Sequence, residues 1–364
     1  MKKRILLDAR WIKTNKYDGI SQYSQKLFEY LYDLFLDKVD FYFLICNDDT
    51  KKLLPSGNSK YFIKTNPPYS PLEVVQALKL RKYDFDLIYS PFCIFGYFFK
   101  NCPLIITIHD MTRHKDININ WNTIKTGLMD LLRKKIYLKM RLVFEKRISK
   151  KSKVITVSKT SLIDIEKYLG VSATIISPGI DERDIVSHPS KKYKNQIIYC
   201  GRYEKYKNID KVVKFISSEK DIKFLIVGSI NPEDKLKIIH EANSELKNRV
   251  IFLGPINNQD YYQELQRSMA LINLSSFEGF GMPIIEAMSQ GVPVMCSDID
   301  AFKEVGGGAE IIIKTENDFK AAILLLSNPE KRLAISRQSI LNAKKYTWDK
   351  KANMLYQYMD SLIR

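Results

Sequence analysis

The chain has 364 residues, 45% of them hydrophobic, with modest Gly and Pro, enough for two packed cores and little room for long disordered tracts. A formal net charge of +17 calls for an anionic partner: nucleic acid, an anionic lipid surface or a phosphorylated substrate. Five scattered cysteines without a CxxC pair read as reduced, buried thiols, and four histidines without metal-ligand spacing argue against a structural zinc.

The start, MKKRILLDARW, reads as a basic stub entering a strand, Arg4–Leu7, rather than a secretory leader, and implies a cytoplasmic protein. The loop after it carries Asp18-Gly19-Ile20, and helical periodicity runs over Ser21–Leu36. Further strands are expected at Phe41–Ile45, Leu87–Tyr89 and Leu104–Ile108. The last delivers His109 and Asp110 to a strand end, where an imidazole serves as a hydrogen-bonding group or an acid–base near neutrality. The longest apolar cluster, Cys93–Phe99, is far too short to cross a bilayer.

Residues 124–153 are strongly basic with interleaved Leu, Ile, Met and Phe; as helix, the stretch would form a cationic amphipathic surface suited to anionic lipid. A strand at Val154–Val157 and a helix at Ser161–Tyr168 close the first series. The polar, Pro-containing stretch Ser177–Gln196 then separates it from a second one: Ile197–Tyr199, Lys223–Val227, a helix at Pro232–Glu245, Val250–Phe252, Ala270–Leu274 and Val292–Cys296. Most of these strands are continuous apolar runs, as expected for strands covered on both faces. The fold class is therefore α/β, with two Rossmann-like domains facing each other across a cleft and functional residues just beyond strand ends. The expected limits are 1–180, 190–343 and a final helix over 344–364.

Two loops of the second half carry the chemistry. After Cys200, Gly201 and Arg202 turn the chain and Lys207-Asn208 opens a helix; Arg202 and Lys207 are placed to stabilise a departing diphosphate. In SSFEGFGMPIIEAMSQGVPV, Glu278 sits in a turn with Gly279, Phe280 and Gly281, Pro283 is placed as the first helical residue, and Glu286 falls at the end of the first turn. Free backbone N–H groups at such a turn suit phosphate or sugar oxygens, and the two carboxylates suit a sugar and a ribose diol.

These pieces together resemble the retaining group 1 glycosyltransferases of the two-Rossmann-domain (GT-B) type, which include sucrose and glycogen synthases and bacterial mannosyltransferases. The resemblance rests on the Glu-x7-Glu element Glu278–Glu286, CGRYEKYKN, FLIVGS, IFLGPI, SPGID and YTWDKKA, and covers nearly the whole chain. It implies that Glu278 contacts the donor sugar with the backbone of Gly279, Phe280 and Gly281. Glu286 would hold the nucleotide ribose, Arg202 and Lys207 the diphosphate, and His109 the transferred sugar. Gly19 would lie near the phosphates, and Gly254, Pro255 and Ile256 beside the base. Many members carry Gly-Gly in the first loop; here Asp18 precedes Gly19.

The activity so implied moves a hexose from GDP-mannose or a UDP-sugar to a lipid-linked saccharide in bacterial surface glycan synthesis, with retention of configuration and no metal or other cofactor. The basic stretch 124–153 would dock the chain on the inner face of the cytoplasmic membrane. Asp84–Asp86, before a strand, and Asp298–Asp300, in the loop following the Glu278–Glu286 element, spell Asp-x-Asp, but neither is read as a metal site. A nucleotide-sugar 2-epimerase of the same architecture is the alternative enzyme; a nucleic-acid binder would explain the charge but lacks a recognisable motif.

Overall fold

A computed structural model of the chain describes residues 2–14, 19–55, 61–68, 80, 82–92, 102–111, 128–242 and 244–363. It divides into two compact units, 1–178 with 348–364, and 179–347. Asp18, the apolar cluster Cys93–Phe99 and residues 124–127 of the basic stretch lie outside the described residues.

The first unit holds the strands β1 (Lys3–Asp8), β2 (Val39–Ile45), β3 (Phe62–Lys64), β4 (Leu87–Ser90), β5 (Leu104–Ile108), β6 (Lys153–Thr156) and β7 (Thr174–Ile175). They pair in the order β3-β2-β1-β4-β5-β6-β7, every pairing parallel. The second unit holds β8 (Lys194–Cys200), β9 (Lys223–Val227), β10 (Val250–Gly254), β11 (Ser268–Asn273), β12 (Val294–Cys296) and β13 (Glu310–Ile312), in the all-parallel order β10-β9-β8-β11-β12-β13. The central strands are buried from end to end, Leu104–Ile108 and Ser268–Asn273 among them, which is why their sequences lack alternation. The strands that sequence patterning passes over, β3, β7 and β13, are two or three residues long and only partly buried, so no apolar run marks them.

The helices are α1 (Gly19–Phe35), α2 (Leu128–Lys151), α3 (Lys159–Leu169), α4 (Ile209–Ser217), α5 (Pro232–Glu241), α6 (Ser244–Lys247), α7 (Asn258–Arg267), α8 (Met282–Ser289), α9 (Asp300–Gly306), α10 (Glu316–Ser327), α11 (Pro329–Ala343) and α12 (Trp348–Leu362). Side chains at their N-caps begin several of them cleanly. The Ser158 hydroxyl accepts from Ser161 N (3.0 Å), Asn257 Oδ1 accepts from Asp260 N (2.9 Å), and Thr315 and Asp318 form a reciprocal capping box. The helix expected over Pro232–Glu245 ends at Glu241 because Ala242 turns extended, and a separate short helix follows. α8 begins at Met282, so Pro283 is its second residue rather than its first.

The final helix belongs to the first unit. It buries Trp348, Ala352, Leu355 and Met359 in the core that α1 shares with β1 and β2. Tyr356 stacks on Phe35 at 3.8 Å, and Lys3 pairs with Asp360.

In the second sheet the strand order runs one way from β8 through β9 to β10 and the other way from β11 through β12 to β13. Loops leaving β8 and β11 therefore diverge, and their carboxyl ends mark the place where a doubly wound sheet accepts a ligand. The floor of that place is packed backbone on backbone: Gly201 N donates to Val227 O and Gly228 N to Gly254 O, each at 2.9 Å. A Cβ on Gly228 would stand 2.3 Å from Gly201 O, and its φ of +129° disfavours any other residue. We expect Gly228→Ala to cost about 3 kcal/mol and to lower Tm by roughly 10 °C in a thermal melt.

Candidate functional site

At the β8–β11 junction the two loops are stitched to each other. Asn208, the cap residue between the Lys205–Lys207 turn and α4, holds a left-handed backbone (φ 52°) and is the one non-glycine residue among those described to do so. Its amide Nδ2 donates to Leu274 O (2.7 Å) and to Ser276 Oγ (2.9 Å), while Ser276 N donates to Tyr206 O (2.8 Å). The Tyr206 and Phe277 rings stack at 4.5 Å and 17°. A strained conformation kept in place by three cross-loop hydrogen bonds and a ring stack is the mark of a positioned site.

That stitching sets Lys207 against Glu278. Their side chains form an ion pair and are only 15% and 16% exposed, so it is far better shielded than a surface pair. Ser275 Oγ lies 2.9 Å from Glu278 Oε1 and 2.6 Å from Asn273 Oδ1, so one hydroxyl proton serves two acceptors and ties the carboxylate to the end of β11. Arg202, by contrast, is exposed and forms no ion pair among the described residues; Tyr199 Oη donates to its carbonyl at 2.9 Å. The two expected diphosphate cations are thus unequal: Lys207 is already held by a carboxylate, and Arg202 is not.

Beyond Glu278 the chain passes through buried Gly279, Phe280 and Gly281 into α8. The Phe280 ring is turned away from the loop, packing edge-on against Tyr346 at 5.7 Å, which leaves the backbone to line the turn. Gly281 caps α8 with φ +114°, and a Cβ there would press on the Phe302 ring at 3.2 Å. One turn into the helix, Glu286 lies beside the Tyr261 hydroxyl and the Cys200 thiol. Burial pushes its carboxyl up to about 7, with Tyr261 pulling the other way, and the Cys200 thiol goes up to about 12 for the same reason. Gly254 ends β10, two strands along the sheet from β8, and partly buried Ile256 precedes the cap of α7.

In the first unit, His109 directly follows β5. Its Nε2 lies 2.9 Å from Pro91 O, an acceptor only, so Nε2 carries a proton. Tyr23 meets the imidazole edge-on at 4.9 Å, and Ser161 Oγ donates to the His109 carbonyl. Gly19 is the first residue of α1, with open space where a Cβ would stand. Asp86 accepts from Arg4 N at 2.7 Å. Asp298, just past β12, bridges Lys303 and Lys314, which hold its carboxyl down near 2.

The family model described as Glycosyl transferases group 1 matches residues 181–341, and the one described as Glycosyltransferase Family 4 matches 38–184. Glycosyltransferase family models thus match both halves of the chain, the second half matching the group 1 model. It is 34% identical over 173 residues to a poly(glycerol-phosphate) alpha-glucosyltransferase of Bacillus subtilis, covering 45% of this chain and 25% of that protein. It is 25% identical over 227 residues to the O-antigen chain mannosyltransferase RfbU of Salmonella typhimurium, covering 60% and 63%. The chain thus spans less than two thirds of either relative's length. The structure of a sucrose-phosphate synthase from Thermosynechococcus elongatus shares its fold at a TM-score of 0.75, with 18% identity and 99% of both chains covered.

For this chain, sequence reasoning singled out Lys207, Glu278 and Glu286 but missed what surrounds them: Asn208, Ser275, the Tyr206–Phe277 stack and Tyr261. The available signals were an Asn after a basic turn, where a left-handed residue is common, and two serines ahead of the glutamate. Tyr261 left none, since an aromatic on an amphipathic helix reads as core.

Two outcomes follow from this geometry. Asn208→Gly keeps the backbone conformation but loses two hydrogen bonds, and Asn208→Ala loses both and adds strain. Nucleotide affinity measured by calorimetry should fall in the order wild type, Gly, Ala, with about 1–2 kcal/mol separating the ends. The raised pKa of Glu286 means that the folded protein binds a proton more tightly than the unfolded chain, so ionising this group works against folding as pH rises from about 4.5 to about 7. Glu286→Gln should therefore raise Tm at pH 8 while weakening nucleotide binding. In the wild type, affinity should rise roughly tenfold between pH 6 and pH 8 as the carboxyl ionises, and the variant should lose that dependence.

Proposed function

We propose that the chain transfers a hexose from a nucleoside diphosphate sugar, GDP-mannose or a UDP-sugar, to a lipid-linked saccharide in surface glycan synthesis, retaining anomeric configuration and needing no metal ion. The observation that carries this reading is the convergence of Lys207, Glu278 and Glu286 at the β8–β11 junction, each delivered by a different element. Glu278 and the Gly279–Gly281 backbone take the sugar, Glu286 the ribose, and Lys207 with Arg202 the diphosphate. As the bond from the sugar's anomeric carbon to phosphate breaks, negative charge grows on the departing diphosphate, and two cations stabilise it. A new bond forms from that carbon to an acceptor hydroxyl, whose proton leaves with the diphosphate. His109 approaches the transferred sugar, Gly19 the phosphates, and Gly254 and Ile256 the base. The glucosyl- and mannosyltransferase relatives support a hexose donor.

The acceptor reading rests on α2. From Lys139 onward its exposed side chains are Lys139, Met140, Val143, Lys146, Arg147, Lys150 and Lys151. At 100° per residue these fall within one arc, while Glu145, Ile148 and Ser149 are buried on the other side. Met140 and Val143 are 69% and 53% exposed, and no acid interrupts the arc. A surface mixing cations with exposed apolar groups suits the anionic inner face of a membrane, where lipid-linked saccharides are presented. No described helix is long and apolar enough to cross it.

Incubation with a panel of UDP- and GDP-sugars should release UDP or GDP slowly from one of them, with or without a chelator. An epimerase would change the sugar and leave it on the nucleotide, and a nucleic-acid binder would do neither. Replacing Lys146, Arg147 and Lys150 together by Ala should weaken sedimentation with phosphatidylglycerol vesicles by about 3 kcal/mol, roughly a hundredfold, without changing donor hydrolysis.

A further inference from the structure

Tyr261 has no part in the roles assigned above, and its surroundings are unusual. It stands in the first turn of α7, fixed by its own N–H donating to Asn257 O at 3.0 Å, with 6% of its surface exposed. Its hydroxyl oxygen is fully buried and closes a hydrogen bond of ordinary geometry with nothing among the described residues. Buried tyrosine hydroxyls nearly always find a partner. Two groups lie beside this one, the Cys200 thiol at the end of β8 and the Glu286 carboxyl on α8. The thiol's proton is held tightly, so it is a poor acceptor; the carboxylate is a strong one. The phenol stays protonated as well, burial driving its titration well above the usual range, and so it remains a donor.

We infer that Tyr261 is a positioning residue for Glu286: with nucleotide bound, its hydroxyl closes a hydrogen bond to one carboxylate oxygen and leaves the other directed at the ribose. The hydroxyl and the carboxylate are brought together by α7 and α8, which approach the β8 end separately, so their relation is set by tertiary packing and not by either helix alone. A carboxylate rotates freely about its last bond and has two equivalent oxygens. One fixed donor removes that freedom and converts an acidic patch into an oriented acceptor for a diol. This inference rests on Glu286 being the ribose ligand.

The test compares a ribonucleotide, UDP or GDP according to which binds, with its 3′-deoxy counterpart, by calorimetry on the full chain. The wild type should prefer the ribonucleotide by at least about tenfold, the worth of one charge-assisted hydrogen bond. Tyr261→Phe keeps the ring and its packing, and should reduce that preference to about two- to threefold while leaving the deoxynucleotide's Kd unchanged. Cys200→Ala should keep the full preference. If Tyr261→Phe retains the wild-type ratio, or if Cys200→Ala abolishes it instead, the inference is overturned while the ribose role of Glu286 stands. If the wild type shows no preference and Glu286→Gln binds as well as the wild type, the ribose role itself has failed and takes this inference with it.

Discussion

Parallel strands whose crossovers run in opposite directions cannot keep their exit loops together, and in the second unit that divergence falls between β8 and β11. The second-unit groups assigned to the sugar, the ribose and the diphosphate all depend on it. The β8 exit supplies Arg202 and Lys207; the β11 exit supplies Glu278, the glycine turn and the helix bearing Glu286. Left alone, two diverging loops would be mobile and too imprecise to bind a small ligand. Asn208 and the Tyr206–Phe277 stack bridge the divergence, holding a gap open while fixing its edges. The left-handed backbone at Asn208 is tolerable because the same residue's amide makes two of the bonds across the gap.

Much of this was legible in the sequence because buried parallel strands announce themselves. Leu104–Ile108 and Lys223–Val227 run where their apolar stretches place them, since strands shielded on both faces need no polar alternation. The edges were not legible: β13, Glu310–Ile312, is three residues long, half-covered and acidic at its start. At the site, charge and glycine spacing pick out Glu278, Glu286 and Lys207, because ionisable groups just past strand ends stand out against an apolar background. That Lys207 would be paired with Glu278 could not be seen. They are 71 positions apart, and their meeting follows from sheet order and the stitching of two loops. Arg202 and Lys207 look alike in sequence for the same reason, though one is exposed and the other half-sequestered.

The first unit is organised by a different economy. Its central strands end at Asp8, Ser90 and Ile108, and the polar groups there are knitted into the core: buried Asp8 grips Arg10 at 2.9 Å, and Tyr23, Tyr89 and Thr107 share a chain of hydroxyls beneath His109. The imidazole is therefore mounted on a rigid platform rather than on a loop. The cations on the outward face of α2, from Lys139 to Lys151, are instead exposed.

The Lys207–Glu278 pair has a consequence for how the site sorts its visitors. A lone pyrophosphate or bare nucleotide that draws the lysine away strands the glutamate, which then faces an anion with its counter-charge gone. A sugar attached to the same diphosphate repairs this, because its hydroxyls offer the orphaned carboxylate new donors. On the proposed reaction, the intact donor is accommodated at little electrostatic expense, and the spent nucleotide is expelled as the old partners reunite. The resting charge balance thus doubles as a ratchet favouring turnover over product retention.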